Sequence, residues 1–373
     1  MHLRSVNRME SVTKLLVTGT GGIGGINFVR ALRLAETQKG IKLFLVCTDH
    51  NPHYLLFPQA DVRCVSPRHD DPDFVQMLLK LVKRYDIKFL HPHPSSEAKV
   101  VSEHMASFKN AKAEVYLPRP TSIMPDKLAI HEALSRHKVS VPKTAAISSF
   151  SHIASAFSEI GRPLWIRAKR GAGGRLGLKV DTPEQAQNWA KLNVLQNRAA
   201  VSDFILQEYL PGRDLAFDSL WFNGKLVTSY ARERLEYTLK HISLSGITGT
   251  PAIARTVEDK RLNEVGVEAI RAMDPEPHGF FSVDMKEDFA GRPVVTEVDG
   301  KWHTTAPLWG YAFAKAFDRP ELNIAHAYLM LGLNGSLDVD LPKFDLFPSN
   351  HYLVRQLDAG VILECDDNTW RIV

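Results

Sequence analysis

The run "LLVTGTGGIGGINFVRAL", Leu15 to Leu32, passes from an apolar strand into five glycines within seven residues and out into a helix-like segment. A turn this rich in glycine between a strand and a helix commits the region to βα units folded back onto a sheet. The following residues keep the same alternation. Strands are expected at "KLLVTG", "IKLFLVCTD", "ADVRCV", "IKFLHPH" and "AEVYLP", and helices at "NFVRALRLAET" and "DFVQMLLKLVKRY", where apolar residues recur at spacings of three and four. Residues 1–118 therefore read as a doubly wound, Rossmann-like α/β domain.

Gly19, Gly21 and Gly24 also spell G-x-G-x-x-G, and Asp49 closes the next strand where a ribose-binding acid would stand. One reading is thus an NAD(P)-dependent epimerase or dehydrogenase using the Gly19–Gly25 loop. The same turn also serves purely structural ends in α/β sheets, and after Leu117 the parallel βαβ texture stops. His91 and His93 lack partner ligands at metal-site spacing and read as strand-end packing.

Bulk properties narrow the classes. Hydrophobic residues make up 44% and charged residues 24% of 373, and the net charge is +4. That is globular composition, mildly basic, compatible with anionic small molecules and without a nucleic-acid signature. No apolar run approaches the roughly 18–20 residues that span a bilayer, and "MHLRSVNRMESVTK" has no apolar h-region. Cys47, Cys64 and Cys365 are scattered and odd in number, which fits a reducing compartment. The expectation is a cytoplasmic protein acting on small molecules.

"PRPTSIMPDK" marks a junction to a second domain, placed at residues 119–334, with a C-terminal segment at 335–373. Here the texture becomes helices with antiparallel hairpins, an α+β pattern. Asn223–Gly224 between two apolar strands is a hairpin turn. "HYLVRQL" and "VILECDD" read as a terminal strand pair.

The chemistry concentrates in three places. "FFSVDMKED" and "RPVVTEVDG" form a hairpin whose turn, centred between Ala290 and Gly291, sets Asp284 across from Glu297, with Asp299 on the same face. Three carboxylates on one face repel unless a cation lies among them, and an all-oxygen set suits Mg2+ bridging to phosphate; Lys286 and Lys301 are the ordinary partners if the face is merely solvated. "PLWIRAKRGAGGRLGLKV" puts Arg167 and Lys169 on one strand face before the glycines Gly171, Gly173, Gly174 and Gly177, a loop whose amides can approach phosphate. "QEYLPGRD" offers Glu208, Tyr209 and Leu210 as an extended edge for a purine and Asp214 as a carboxylate for ribose hydroxyls.

Taken in order, "DK…L", "PLWIRAKRGAGGRLG", "LQEYLPGRD", "FFSVDMKED" and "TEVDGKW" resemble the ATP-grasp superfamily, notably its carbamoyl-phosphate-synthetase-like members and carboxylate–amine ligases, from Asp126 to Trp302. The preceding unit resembles their pre-ATP-grasp domain. The resemblance implies that Lys127 and Arg167 contact ATP phosphates, with Lys169 a further contact. It makes the glycine-rich region, about 145–200, a lid containing Gly173 and Gly174. Glu208, Tyr209 and Leu210 would hold adenine and Asp214 the ribose. Asp284 and Glu297 would ligate Mg2+, with Asp299 in the position where the family has asparagine and Lys301 where it often has arginine. The implied reaction activates a carboxylate as an acyl phosphate and joins it to an amine, with ATP and Mg2+ as cofactors and a homodimer as the possible assembly. Arg232, Arg234 and Lys301 are the expected catalytic cations, with His303 near substrate. A nucleotide-binding protein without turnover is the remaining alternative. In this reading the front glycine loop need not bind a dinucleotide.

Overall fold

The structure, a computed structural model, describes residues 12–171, 174–357, 360–366 and 368–372. It divides into two compact units, Met1–Leu117 with Thr304–Asp340, and Pro118–His303 with Leu341–Val373. No helix among the described residues is long and apolar enough to cross a membrane.

The first unit begins with β1 (Thr13–Thr18), α1 (Ile23–Lys39) and β2 (Leu43–Asp49). It continues through β3 (Val62–Val65), α2 (Phe74–Tyr85), β4 (Phe89–Pro92), α3 (Ser95–Glu103), α4 (Met105–Asn110) and β5 (Glu114–Val115). The strands form a parallel sheet in the order β3-β2-β1-β4-β5. Leu15, Leu16 and Val17 of β1 are wholly buried, as the centre of a parallel sheet demands. α2 buries Phe74, Leu78, Leu81 and Val82, one stripe at helical spacing. The strand expected at "AEVYLP" shrinks to two residues, because Tyr116 and Leu117 pack into the core beyond its end.

The sequence reading carries the second domain through to residue 334, but Thr304–Asp340 groups with the first unit. The helices Ala306–Phe317 and Ile324–Asn334 are buried on most sides, so they show no polar stripe to mark an outer face. Asn323 Nδ2 donates to the carbonyl of Ala31 at 2.7 Å, and Gln38 Nε2 to that of Ala314 at 2.9 Å. A Cβ on Gly332 would lie 2.2 Å from the Phe89 ring, so close packing on β4 requires glycine there.

The second unit opens with α5 (Lys127–Arg136), whose first turn is capped by the Asp126 carboxylate accepting from the Leu128 amide at 2.9 Å. Then come β6 (Thr144–Ala146), α6 (Ser151–Ile160), β7 (Leu164–Ala168), β8 (Leu178–Val180), α7 (Pro183–Leu195) and β9 (Phe204–Glu208). Their strands make an antiparallel sheet in the order β6-β9-β7-β8, with Ile153, Ala186 and Ala190 of the two helices in its core. A larger sheet follows: β10 (Asp214–Phe222), β11 (Lys225–Tyr237), β12 (Pro251–Val257), α8 (Lys260–Met273), β13 (Gly279–Glu287), β14 (Pro293–Asp299), β15 (Tyr352–Gln356), β16 (Gly360–Cys365) and β17 (Asn368–Arg371). Its order is β14-β13-β10-β11-β12-β15-β16-β17, antiparallel throughout. The β10–β11 hairpin turns at Asn223 (φ 48°) and Gly224 (φ 76°), the pair of positive φ values a two-residue turn of this kind needs. The terminal strand pair expected from sequence extends this sheet at β15 and β16.

Strand alternation splits the large sheet into two faces. Leu215, Phe217, Phe281, Val283 and Met285 pack with Ile130 and Leu134 of α5 and Leu262 of α8. The intervening residues, among them Asp214, Asp218 and Asp284, point to the other face.

Candidate nucleotide and metal site

The charged face owes its composition to one extra residue. Near the hairpin turn Glu287 pairs with Pro293, Lys286 with Val294 and Met285 with Val295; beyond a bulge at Thr296, Asp284 pairs with Glu297 and Ser282 with Asp299. The expected partnership of Asp284 and Glu297 is present, but the turn centres on Ala290 and the bulge restores the register. Without Thr296 as the extra residue, Asp284 would face that threonine, and Glu297 and Asp299 would turn into the apolar core. Thr296 Oγ1 donates to the Asp284 carbonyl at 3.1 Å, which anchors the bulge.

Around these carboxylates the charges alternate in sign. Asp284 Oδ1 accepts from Arg234 Nη2 at 2.5 Å and lies 2.9 Å from His303 Nε2. Arg234 Nη1 reaches Asp214 Oδ1 at 3.2 Å, and Tyr237 donates its hydroxyl to Asp214 Oδ2 at 2.8 Å. His303 Nδ1 sits 2.7 Å from Asp218 Oδ1, and the other Asp218 oxygen pairs with the Arg232 guanidinium. Arg232 and Asp218 are both buried. Ion pairs and hydrogen bonds thus run in the order Arg232, Asp218, His303, Asp284, Arg234, Asp214, Tyr237.

A second group surrounds Glu297. Its Oε2 lies 3.2 Å from Arg167 Nη2 and 3.4 Å from Lys127 Nζ, so both cations converge on one oxygen. Lys127 also donates to the carbonyl of Gly171 at 2.6 Å. Asp299 accepts from the Met124 amide at 2.8 Å through Oδ1 and meets Lys301 Nζ at 3.2 Å through Oδ2. It shares the face of Asp284 and Glu297, but both its oxygens are engaged by the protein.

The ionisation follows. Burial alone would raise the pKa of Asp284, but the Arg234 charge and His303 outweigh it and hold the carboxyl well below its usual range. Burial likewise opposes ionisation of Glu297, and Lys127 and Arg167 override it to leave the pKa lowered. Asp299 goes the other way: burial dominates over Lys301 and its pKa is raised. Burial pushes His303 down to about 4 despite Asp284, so the ring is neutral at pH 7. Burial, reinforced by Arg234, brings Arg232 down to about 9.

The expected adenine and phosphate contacts lie in the same unit. Glu208 ends β9, its carboxylate accepting from the Lys143 amide at 3.3 Å. Lys179 Nζ stands 5.2 Å over the Tyr209 ring, and Leu210 is buried. Lys169 is half-buried just past β7, and its carbonyl accepts from the Lys127 amide at 2.9 Å, tying the loop to α5. Gly174 has φ +70°, and a Cβ there would lie 2.9 Å from Ile247 Cγ2; Gly173 lies outside the described residues. Asp218 and Tyr237 escaped the sequence reading. The signal was present, since Asp214 and Asp218 share a strand face opposite the pair Arg232 and Arg234.

In the first unit, the protein itself occupies the glycine loop. A Cβ on Gly19 would lie 2.0 Å from Pro94, on Gly21 2.2 Å from Tyr54, and on Gly24 2.1 Å from His93 Nε2. The Asp49 carboxylate accepts from the amides of Gly21 and Asn51, both at 2.9 Å. His91 and His93 hydrogen-bond each other at 3.1 Å, and Phe28 stacks on His91 at 3.8 Å, the packing role expected. The sequence also spells Tyr-x-x-x-Lys at Tyr311 and Lys315; the hydroxyl accepts from Lys315 Nζ at 3.4 Å, and the ring carries Arg30 at 5.9 Å.

The residues present fit a magnesium–nucleotide ligand, with one restriction. Asp284 and Glu297 are facing like charges whose cationic partners are all side chains, and their oxygens are hard donors. Among the described residues no three His, Cys, Asp or Glu groups close into a metal cage. An ion here would draw on one or two carboxylates, the rest of its shell coming from phosphate oxygens and water.

No protein-family model matches the sequence, and no curated protein matches it. Solved structures do. A complex of biotin carboxylase with a β,γ-ATP ligand from Campylobacter jejuni superposes with TM-score 0.67 at 14% identity, covering 92% of this chain and 75% of that one. The biotin carboxylase domain of Hydrogenobacter thermophilus 2-oxoglutarate carboxylase, solved with MgADP, ADP and bicarbonate, gives 0.63 at 15%, covering 91% and 73%. An L-amino acid ligase from Bacillus licheniformis gives 0.66 at 11%, covering 91% and 79%. The chain has the ATP-grasp fold, with a Rossmann-like unit before it.

Proposed function

We propose that the chain is an ATP-dependent carboxylate–amine ligase: a carboxylate or bicarbonate attacks the γ-phosphorus of ATP, ADP leaves, and an amine then displaces phosphate from the acyl phosphate. The carrying observation is the bulged hairpin, which sets Asp284 opposite Glu297 on one half-buried face, with Lys127 and Arg167 converging on the latter. Similarity to the ATP-grasp fold of proteins solved with ATP-like and MgADP ligands supports the same reading.

Lys127 and Arg167 bind the β- and γ-phosphates, with Lys169 adding positive charge and the Gly171–Gly174 loop supplying amides. Glu208, Tyr209 and Leu210 present the edge that holds adenine, and Asp214 takes the ribose hydroxyls once Tyr237 yields its oxygen. Asp284 and Glu297 would hold Mg2+, while Asp299 keeps Lys301 in place rather than adding a third ligand. When bound, the metal neutralises charge on the transferring phosphoryl group. Arg234 and Lys301 stabilise charge where it develops, and buried Arg232 fixes Asp218 and through it the rest of the chain of hydrogen bonds. Charge placement and exclusion of water are most of what phosphoryl transfer asks of a protein.

The experiment is an ADP-release screen over amino acids, small carboxylates and bicarbonate with amine acceptors, repeated with Glu297→Gln. On a productive pair the variant should turn over about 10²–10³-fold more slowly. Equal rates in the two proteins would remove Glu297 from the site.

A further inference from the structure

We propose that His303 is a nitrogen ligand for the divalent cation and that Asp218 positions it, so the cation sits in a mixed nitrogen–oxygen setting rather than an all-oxygen one. The inference rests on the reading of Asp284 as a cation-binding carboxylate.

Both ring nitrogens of His303 face carboxylates, Nδ1 at 2.7 Å from Asp218 Oδ1 and Nε2 at 2.9 Å from Asp284 Oδ1. Arg234 Nη2, which can only donate, meets His303 Nε2 at 3.3 Å, so Nε2 is an acceptor and the ring carries a single N–H. Asp218 is wholly buried and paired with Arg232, so its oxygen is the fixed acceptor and the proton is assigned to Nδ1. Nε2 then aims a lone pair at the same place as a carboxylate oxygen. Two such acceptors this close need a shared donor or cation, and the protein supplies one: Arg234 Nη2 lies 2.5 Å from Asp284 Oδ1 and 3.3 Å from His303 Nε2.

A metal ion entering at that point replaces the guanidinium, which keeps its second contact through Nη1 to Asp214 at 3.2 Å. The ion gains an oxygen from Asp284 and a nitrogen from His303, whose far N–H is held by a carboxylate, the usual way a metal-binding histidine is oriented. Imidazole nitrogen suits Fe, Ni, Cu and Zn ions better than Mg2+ or Mn2+, which prefer oxygen, so Mn2+ serves here as the paramagnetic probe of a Mg2+-type site. A doubly protonated ring bridging Asp218 and Asp284 is the competing arrangement, and it places no nitrogen on the metal.

MnCl2 is titrated into the full chain with and without a non-hydrolysable ATP analogue, free ion being counted by electron paramagnetic resonance. Pulsed measurements then read nitrogen coupling on the bound Mn2+. The proposal expects imidazole 14N modulation that changes to the 15N pattern when the protein carries 15N-histidine. His303→Gln should remove the modulation and weaken binding at least about tenfold, and Asp218→Asn should keep it while weakening binding roughly 10–100-fold. If His303→Gln fails to fold, absence of histidine coupling in the labelled wild-type protein still overturns the inference, and Asp218→Asn tests the positioning of His303. Bound Mn2+ without histidine nitrogen coupling, or coupling that survives His303→Gln, overturns the inference and leaves the metal reading standing. No Mn2+ binding with or without nucleotide overturns both.

Discussion

Behind the Gly19–Gly25 loop burial strips charge from side chains, whereas on the face of the eight-stranded sheet Asp284, Glu297 and Arg234 keep theirs against it. Burial drives His93 down to about 3 and Glu97 up to about 7, so each tends toward its neutral form. On the sheet face Asp284 is held ionised by Arg234 against its burial, and Arg234 stays a cation because Asp284, Tyr237 and Asp214 outweigh its own. The same low dielectric has opposite outcomes because only the second region meets every charge with an opposite one. The first is glycine and neutral polar packing. The second is a store of ionised groups, the condition under which incoming phosphate or metal can exchange with side-chain partners.

Three perturbations probe that contrast. The largest effect is expected at the buried pair. Arg232→Met leaves buried Asp218 without its guanidinium partner and should cost about 3–5 kcal/mol in denaturant unfolding, while the apolar double variant Arg232→Met with Asp218→Leu should recover much of it. A single-variant cost below about 1 kcal/mol would mean the face does not depend on pairing.

The next effect is a pH dependence of the first unit. The folded state holds the Glu97 proton up to about pH 7, whereas the unfolded chain releases it near 4.5. The folded state therefore binds more protons inside that window, and stability falls as pH rises through it. The loss is on the order of 3 kcal/mol and complete above pH 7. Glu97→Gln should flatten this slope in unfolding measurements from pH 4.5 to 8; parallel slopes would show the carboxyl to be ordinary.

The smallest effect is steric. Gly24→Ala drives a methyl toward His93 Nε2, 2.1 Å from the ideal Cβ position, and should cost about 1–3 kcal/mol. Stability unchanged by that substitution would reopen the loop as a space for ligand.

How far the sequence foretold this arrangement varies with the range of the interaction. The Asn223–Gly224 turn, the amphipathic α2 and the opposition of Asp284 to Glu297 were legible, because two- and 3.6-residue periods and local turn chemistry determine them. The bulge at Thr296 was not, since an extra residue in a strand leaves no mark in composition, and two compensating errors in turn centre and register gave the right pair. Asp299 and Asp214 looked available as ligands; their engagement by Met124, Lys301 and Tyr237 depends on contacts across strands and loops. The return of Thr304–Asp340 to the first unit was hidden because helices apolar on all sides carry no preference for one partner.

Nucleotide binding at the charged sheet face is the central claim. Thermal unfolding of the purified chain should shift upward with Mg2+ and a non-hydrolysable ATP analogue, lose that shift in Lys127→Met, and show none with NAD or NADP. Stabilisation by the dinucleotides alone, lost on substitution at Gly21, would contradict it and place the ligand site at the front glycine loop.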